Sequence, residues 1–176
     1  MSDKILIIDF EDSFTYNISN IIFPFEKNCK VITHQEFFRN FETFISSSSK
    51  MAIILGPGPG HPDQYENYFL SVKKLLDYKN IYIMGICLGH QIMGRVSGKE
   101  ILKSHNQMHG QTVEVEFKGK TEIVQRYNSL AVFEQNIEKD ICIYDNGISY
   151  QFHPESIGTC NNYIFFEDLL AFLKKK

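Results

Sequence analysis

Apolar runs and amphipathic segments alternate along the first half of the chain. Continuous apolar stretches typical of buried parallel strands occur at residues 4–9, 30–33, 51–55 and 81–86. Apolar residues recur at helical spacing at 13–24, with Ser13 as the expected cap, and at 36–45 and 68–78. This alternation predicts an α/β fold with an open, mostly parallel, twisted sheet and helices on both faces.

The second half has a different pattern. Residues 112–117 alternate between apolar and polar, and Asp145-Asn146-Gly147 separates two short apolar runs, which favours antiparallel hairpins. Residues 104–110 are expected to form a loop, and residues 163–173 a final helix. A chain of 176 residues with 43% hydrophobic residues suits one domain, 1–176, with a small antiparallel region in its second half.

Composition and charge exclude several classes of protein. The net charge of -3 and a basic cluster confined to residues 174–176 argue against nucleic-acid binding. No apolar run is long enough to span a bilayer, and the N-terminal residues leave no room for a secretory signal. The cysteines are scattered and predict neither disulfides nor a zinc site: Cys29, Cys87, Cys142 and Cys160. We therefore expect a cytoplasmic location without membrane association.

Cys87 is the strongest candidate for a nucleophile. It lies in the segment Gly85-Ile86-Cys87-Leu88-Gly89-His90-Gln91, directly after an apolar run and before a segment compatible with a helix. Glycine flanks allow the sharp turn that exposes a nucleophile between a strand and a helix. At a helix N-terminus the backbone amides favour an anion, so cysteines placed there tend to react as thiolates.

Two further segments supply the other groups that thiol chemistry needs. His153 and Glu155 are two residues apart, so an imidazole could move the proton while the carboxylate orients it. The Gly-Pro loop at 56–62 cannot continue a strand, and its amides, with the amide of Leu88, could stabilise an oxyanion. Taken together, the three segments predict a cysteine-dependent hydrolase.

The chain resembles the class I, triad-type glutamine amidotransferases over nearly its whole length. Within them it is most similar to the small subunit of anthranilate synthase and aminodeoxychorismate synthase. The segments that carry the resemblance are residues 9–17, 56–60, 85–91, 108–110, 126–130 and 151–156. The resemblance implies a flavodoxin-like sheet and the hydrolysis of glutamine to glutamate and ammonia.

The resemblance also implies roles for individual residues. Cys87 would attack glutamine and form a glutamyl thioester, His153 would transfer the proton, and Glu155 would orient His153. Gly58 and Leu88 would form the oxyanion hole. The glutamine contacts that it implies are Gly58, Gly60, Leu88, Gln91, Ser129 and Leu130.

The implied partner is the large, chorismate-binding subunit of a synthase, which would receive the ammonia. No cofactor or metal is implied in this chain, whereas the partner subunit is expected to need Mg²⁺. The resemblance leaves open whether the product is anthranilate, for tryptophan, or aminodeoxychorismate, for folate.

One position departs from the family pattern. Asn128 stands where the family usually has histidine, so a contact or proton role there is in doubt, although backbone contacts from Ser129 and Leu130 could remain. Two alternatives stay open at this point. The chain could be a free-standing gamma-glutamyl peptidase or other cysteine hydrolase, or a catalytically idle regulatory subunit of the same fold.

Overall fold

The computed structural model describes residues 4–46 and 49–175. Its central sheet contains β1 (Ile5–Asp9), β2 (Cys29–Thr33), β3 (Met51–Leu55), β4 (Ile81–Ile86), β8 (Ile141–Tyr144) and β9 (Gly147–Tyr150). A second sheet contains β5 (Glu100–Phe117), β6 (Lys120–Glu134) and β7 (Ile137–Lys139). The α-helices are α1 (Thr15–Ile22), α2 (His34–Arg39), α3 (Phe41–Ile45), α4 (Phe69–Asp77), α5 (Leu88–Val96) and α6 (Glu167–Lys174).

The central sheet has the strand order β2-β1-β3-β4-β9-β8. Every neighbouring pair is parallel except β8 and β9, which form an antiparallel hairpin at the edge. Strand β3 is buried along its whole length, as expected for a strand covered on both faces. Two hydrophobic clusters lie on opposite faces, one packed against α1 and α6 and the other against α2 to α5. The predicted α/β class is confirmed.

The second sheet is a long antiparallel ribbon made of β5 and β6, with β7 at its edge. The two long strands are joined by a hairpin turn at Lys118-Gly119. The prediction of a loop at 104–110 was wrong, because these residues belong to β5. The strand shifts register between Lys103 and Met108 and again between His109 and Gln111. These irregularities interrupt the period-two pattern by which a strand is identified from sequence.

Two details of the helices also differ from the prediction. The single helix expected at 36–45 is divided into α2 and α3 at Asn40, which has non-helical dihedral angles. Ser13 does not cap α1, because the helix begins at Thr15 and no side chain caps it. The turn before it is instead held by Asp12, whose carboxylate accepts a hydrogen bond from the amide of Phe14 at 2.8 Å.

The remaining predicted elements are present with shifted ends. Short 3₁₀ segments, Pro62–Tyr68 and Asn162–Phe166, precede α4 and α6. The serine-rich break after α3 includes residues 47 and 48, which lie outside the described part of the chain. Within the described ranges, no helix is long and apolar enough to cross a membrane.

Candidate active site

Cys87 occupies a strained turn between β4 and α5. Its backbone has φ 51° and ψ -101°, a combination that is uncommon for a residue with a side chain. Strain of this kind costs about 1–3 kcal/mol and persists only where the surrounding structure enforces it. Here the amide of Cys87 donates to the carbonyl of Tyr150 on β9 at 2.8 Å, which fixes the turn to the central sheet. The side chain is 7% exposed.

The glycines around Cys87 are required by close packing. A Cβ atom at Gly89 would clash with the carbonyl oxygen of Leu55, at the end of β3. At Gly85 it would lie 2.6 Å from the sulfur of Met93 and 2.8 Å from the backbone of Gly89. Glycine at these positions lets α5 begin directly against the ends of β3 and β4. The predicted strand-to-helix turn is therefore present, with Cys87 at its apex.

His153 and Glu155 form a buried pair beyond the end of β9. The Nδ1 atom of His153 lies 2.6 Å from Oε1 of Glu155. The segment is attached to the second sheet, since the amide of His153 donates to the carbonyl of Gln125 at 2.9 Å. The hydroxyl of Thr159 also donates to the carbonyl of His153 at 2.6 Å. These contacts leave the other ring nitrogen, Nε2, available for chemistry.

The pKa of His153 is raised well above its ordinary value of 6.5. Burial alone would lower this pKa, but the interactions of the ring with Cys87 and Glu155 outweigh the burial. The Nε2 atom is buried and makes no geometrically complete hydrogen bond within the described residues. The interaction of the ring with Cys87 favours a charged imidazole.

Two aromatic side chains cover the imidazole of His153. The rings of Phe14 and Tyr127 have their centroids 5.9 Å and 5.2 Å from the imidazole centroid, both in edge arrangements. Phe14 comes from the turn before α1 and Tyr127 from β6, so both sheets contribute to the enclosure. The pair is thereby shielded from water, which strengthens its electrostatic interactions.

A cavity of about 220 Å³ opens at Cys87. The predicted residues that line it are Gly58, Gly60, Cys87, Gln91, Ser129 and Leu130. The sequence analysis did not predict four other lining residues: Pro59, His109, Tyr127 and Asn128. A second, larger cavity of about 660 Å³ lies between α4, α6 and the β8–β9 turn, and none of these residues lines it.

Leu88 differs from the other predicted contacts because it does not line this cavity. Its side chain is buried beneath the Gly-Pro loop, where a Cβ atom at Gly58 would lie 2.7 Å from Cδ2 of Leu88. The backbone amide of Leu88 is the first of α5 and so has no acceptor within its own helix. An oxyanion contact by Gly58 and Leu88 stays a prediction.

Asn128 belongs to a buried polar network that the sequence analysis missed. Its Oδ1 accepts from Nε of Arg126 at 3.0 Å, and its Nδ2 donates to the carbonyl of Leu130 at 3.0 Å. Arg126 also forms ion pairs of 3.0 Å with Glu138 and 2.9 Å with Asp140. Asn128 thus accepts from the charged guanidinium of Arg126 and holds the backbone at the cavity wall through the carbonyl of Leu130.

Two histidines beside the active segments, His90 and His61, support structure. His90 is fully buried, with Nδ1 at 2.8 Å from the hydroxyl of Ser149 and Nε2 at 2.9 Å from the carbonyl of Lys139. Burial lowers the pKa of His90 to about 4, with charges on Arg126 and Lys99 contributing. His61 caps the 3₁₀ segment through its Nδ1 atom.

The expectation that this chain holds no cofactor or metal stays a prediction. Among residues 4–46 and 49–175, no cluster of three or more His, Cys, Asp or Glu side chains is arranged to hold a metal ion. His105 and His109, which are four residues apart, both lie on β5.

Comparison with known proteins gives one family. The model of the family described as glutamine amidotransferase class-I matches residues 6–172. A curated relative, anthranilate synthase component 2 of Saccharolobus solfataricus, is 32% identical in an alignment 191 residues long. This alignment covers 92% of this chain and 94% of the relative. The bifunctional protein TrpGD of Thermotoga maritima is 31% identical over 183 residues, covering 89% of this chain. This chain spans only 30% of the length of that relative.

Solved structures agree on the fold. The crystal structure of a glutamine amidotransferase from Thermotoga maritima superimposes with a TM-score of 0.62. The two chains are 17% identical, and the match covers 100% of this chain and 87% of the other. At that identity the likeness concerns the arrangement of helices and strands alone.

Proposed function

The chain belongs to the class-I glutamine amidotransferase family, and on that basis we propose that Cys87 hydrolyses the side-chain amide of glutamine. One observation carries this proposal. Cys87 lies at a strained strand-to-helix turn, interacts with the buried His153–Glu155 pair and opens onto a cavity of about 220 Å³. A nucleophile, a base, an orienting carboxylate and room for a small substrate occur together there.

In the first half of the reaction, the sulfur of Cys87 bonds to the amide carbon of the glutamine side chain. Charge moves to the carbonyl oxygen, and the amides of Leu88 and Gly58 are the proposed donors to this oxyanion. The tetrahedral intermediate collapses as the carbon–nitrogen bond breaks. His153 gives its proton to the departing nitrogen, so ammonia leaves and a glutamyl thioester remains.

In the second half, water attacks the thioester carbon. His153, now neutral, accepts a proton from that water, and the carbon–sulfur bond breaks to release glutamate and restore the sulfur. Glu155 holds the imidazole through Nδ1 at 2.6 Å, which directs Nε2 to the reacting groups. The raised pKa of His153 suits this role, because a charged imidazole stabilises a neighbouring thiolate.

The walls of the cavity suit recognition of glutamine. The proposed contacts are Gly58, Gly60, Gln91, Ser129 and Leu130, which all line it. They come from the Gly-Pro loop, α5 and β6, so both sheets take part. The exposed imidazole of His109 lies 3.2 Å from the hydroxyl of Ser129 and lines the same cavity.

We further propose that the ammonia passes to a chorismate-using synthase subunit. The relative that matches nearly end to end is named as component 2 of anthranilate synthase, a name that implies a second component. The bifunctional relative carries a similar segment within a chain more than three times as long. A separate large subunit is therefore the proposed consumer of the ammonia.

The direct test uses 6-diazo-5-oxo-L-norleucine, an electrophilic analogue of glutamine. The full chain is incubated with this compound, with and without the candidate synthase subunit, and the adduct is mapped by mass spectrometry. We expect an adduct on the peptide that contains Cys87 and protection by glutamine. A Cys160→Ser variant is the matched control, because Cys160 is exposed and lies outside the proposed site.

Each other outcome of this test has a definite meaning. No adduct on Cys87 in either condition would overturn the proposed function and favour an idle regulatory subunit. An adduct that is accompanied by rapid hydrolysis of gamma-glutamyl peptides, with no effect of the synthase subunit, would favour a free-standing peptidase.

A further inference from the structure

A chain of buried polar side chains runs from β6 to the sulfur of Cys87. Its members are almost fully buried, with exposed fractions of 5% for Arg126, 3% for Asn128, 4% for Gln91 and 0% for Gln151. Polar groups this deeply buried are costly unless they are paired, so the direction of each hydrogen bond is under strong constraint.

The first link is fixed by arginine, which can only donate. Because Nε of Arg126 donates at 3.0 Å, the atom of Asn128 that faces it must be the carbonyl oxygen. The amide nitrogen of Asn128 then points the other way and donates to the backbone carbonyl of Leu130 at 3.0 Å. The orientation of the Asn128 amide is therefore determined.

The second link is fixed by that same backbone carbonyl, which can only accept. The Nε2 atom of Gln91 donates to the Leu130 carbonyl at 3.1 Å, and this identifies the nitrogen end of the Gln91 amide. The same nitrogen lies 3.3 Å from the amide of Gln151, so the Gln151 atom there must be its oxygen. The nitrogen of Gln151 is thereby turned to the sulfur of Cys87, at 3.8 Å.

We propose that Gln151 is a positioning residue that donates a hydrogen bond from Nε2 to the sulfur of Cys87, in an orientation imposed through Gln91 by the backbone carbonyl of Leu130. This inference rests on the proposed function, in which Cys87 is the nucleophile. Gln151 does not line the cavity, so it acts on the sulfur and not on the substrate.

The hydrogen bond from Gln151 stabilises a thiolate at Cys87, whereas the backbone carbonyl of Tyr127 destabilises it. The carbonyl oxygen of Tyr127 lies 4.0 Å from the sulfur, where it can accept from the thiol and would repel a thiolate. An amide N–H favours the thiolate, and hydrogen bonds to charged groups are among the stronger ones. Gln151 thus supports the reactive form of Cys87 alongside His153.

Several other titratable groups lie near Cys87, and they also influence the pH at which its sulfur ionises. They are His153 with Glu155 beyond β9, Tyr127 on β6, His109 on β5 and the neutral His90 on α5. None of these groups is altered by a substitution at Gln151. Gln151→Met removes the hydrogen bonds to Cys87 and from Gln91, whereas Gln91 keeps its hydrogen bond to the carbonyl of Leu130.

The test measures the rate of alkylation of Cys87 by iodoacetamide as a function of pH in the full chain. The midpoint of this profile is compared in the natural chain, in Gln151→Met, which keeps the volume but cannot donate, and in Gln151→Glu. We expect the midpoint to rise by about one pH unit in Gln151→Met and by at least as much in Gln151→Glu. The exposed Cys160 in the same molecules is the internal reference, and its profile should not move.

A second readout separates positioning from general damage. Because Gln151 lies outside the cavity, kcat for glutamine hydrolysis should fall about tenfold in Gln151→Met while KM stays within a factor of two. An unchanged midpoint in Gln151→Met would overturn the inference, whatever the result for Gln151→Glu, because a carboxylate beside the sulfur raises the midpoint by its charge alone. If Gln151→Met unfolds, Gln151→Leu decides, since it also cannot donate and adds no charge.

Failure of this inference and failure of the proposed function give different results. If the natural chain forms the Cys87 adduct with the glutamine analogue but the midpoints do not shift, only the role of Gln151 is wrong. If the natural chain forms no such adduct, the proposed function itself fails, whatever the alkylation profile.

Discussion

The turn at Cys87 and the outer ribbon of β5, β6 and β7 meet at the same cavity but are specified in different ways. The turn is local, since a buried strand, small flanking residues and a helix start are adjacent in sequence. The ribbon contributes residues 109 and 127–130, whose positions depend on pairing across the sheet and on ion pairs with β7 and the residue after it. In the proposed mechanism the turn supplies the nucleophile, and the ribbon supplies much of the enclosure.

This contrast predicts two kinds of failure. Damage at the turn should remove catalysis and leave the fold intact, because Cys87 contributes its sulfur to a turn that other contacts already hold. Damage in the ribbon should weaken folding and substrate binding together, since Arg126 links β6 to the segment around β7 by two ion pairs.

The largest effect is expected for Cys87→Ser. Glutamine-dependent synthesis by the complex should fall by about 10³-fold or more, because the hydroxyl is a far weaker nucleophile than the sulfur. Synthesis from added ammonium salts should continue at its normal rate, since only the supply of ammonia is lost. Both rates are measured on the same preparation of the complex, and loss of the ammonium-dependent rate would contradict the proposed division of labour.

Glu155→Gln should have the next largest effect. The amide cannot hold the charged imidazole as the carboxylate does, so kcat should fall by roughly 10²–10⁴-fold with little change in KM. Steady-state kinetics of glutamate release give both constants. A mainly raised KM would show that Glu155 acts on substrate binding and not on His153.

Arg126→Met tests the ribbon. Removal of the arginine leaves Glu138 and Asp140 without their partner and Asn128 without its donor, which should cost about 3 kcal/mol of the free energy of unfolding. Urea denaturation measures this loss, and KM for glutamine should rise in parallel. The matched control is Lys74→Met, which removes an exposed ion pair with Glu42 and should leave the urea midpoint almost unchanged.

The smallest effect concerns the dependence of stability on pH. The pKa of His153 is raised in the folded chain, so its stabilising contribution is complete below the unfolded value of about 6.5 and is lost as the pH rises through the raised value. The difference in unfolding free energy between the natural chain and His153→Gln should therefore shrink from pH 6 towards pH 9. A difference that grows over this range would mean that burial dominates and the pKa is lowered.

The sequence predicted the turn and the central sheet well because their signals are local. Apolar runs identified β1 to β4, and the glycines beside Cys87 identified the turn. The ribbon was harder to predict, since its bulged residues 104–110 have no simple alternation. The polar network joins Arg126 and Asn128 on β6 to Gln91 and Gln151, which are distant from them in sequence, and no spacing rule connects these segments.

A glutamyl thioester on Cys87 can be detected directly. The chain is mixed with glutamine in the presence of the proposed synthase subunit, quenched with acid within the first turnover, and digested for mass spectrometry. We expect a glutamyl group on the Cys87 peptide that is removed by hydroxylamine and absent in Cys87→Ser. Release of glutamate by the Cys87→Ser chain at the normal rate, with no acylated peptide from the natural chain, would contradict it.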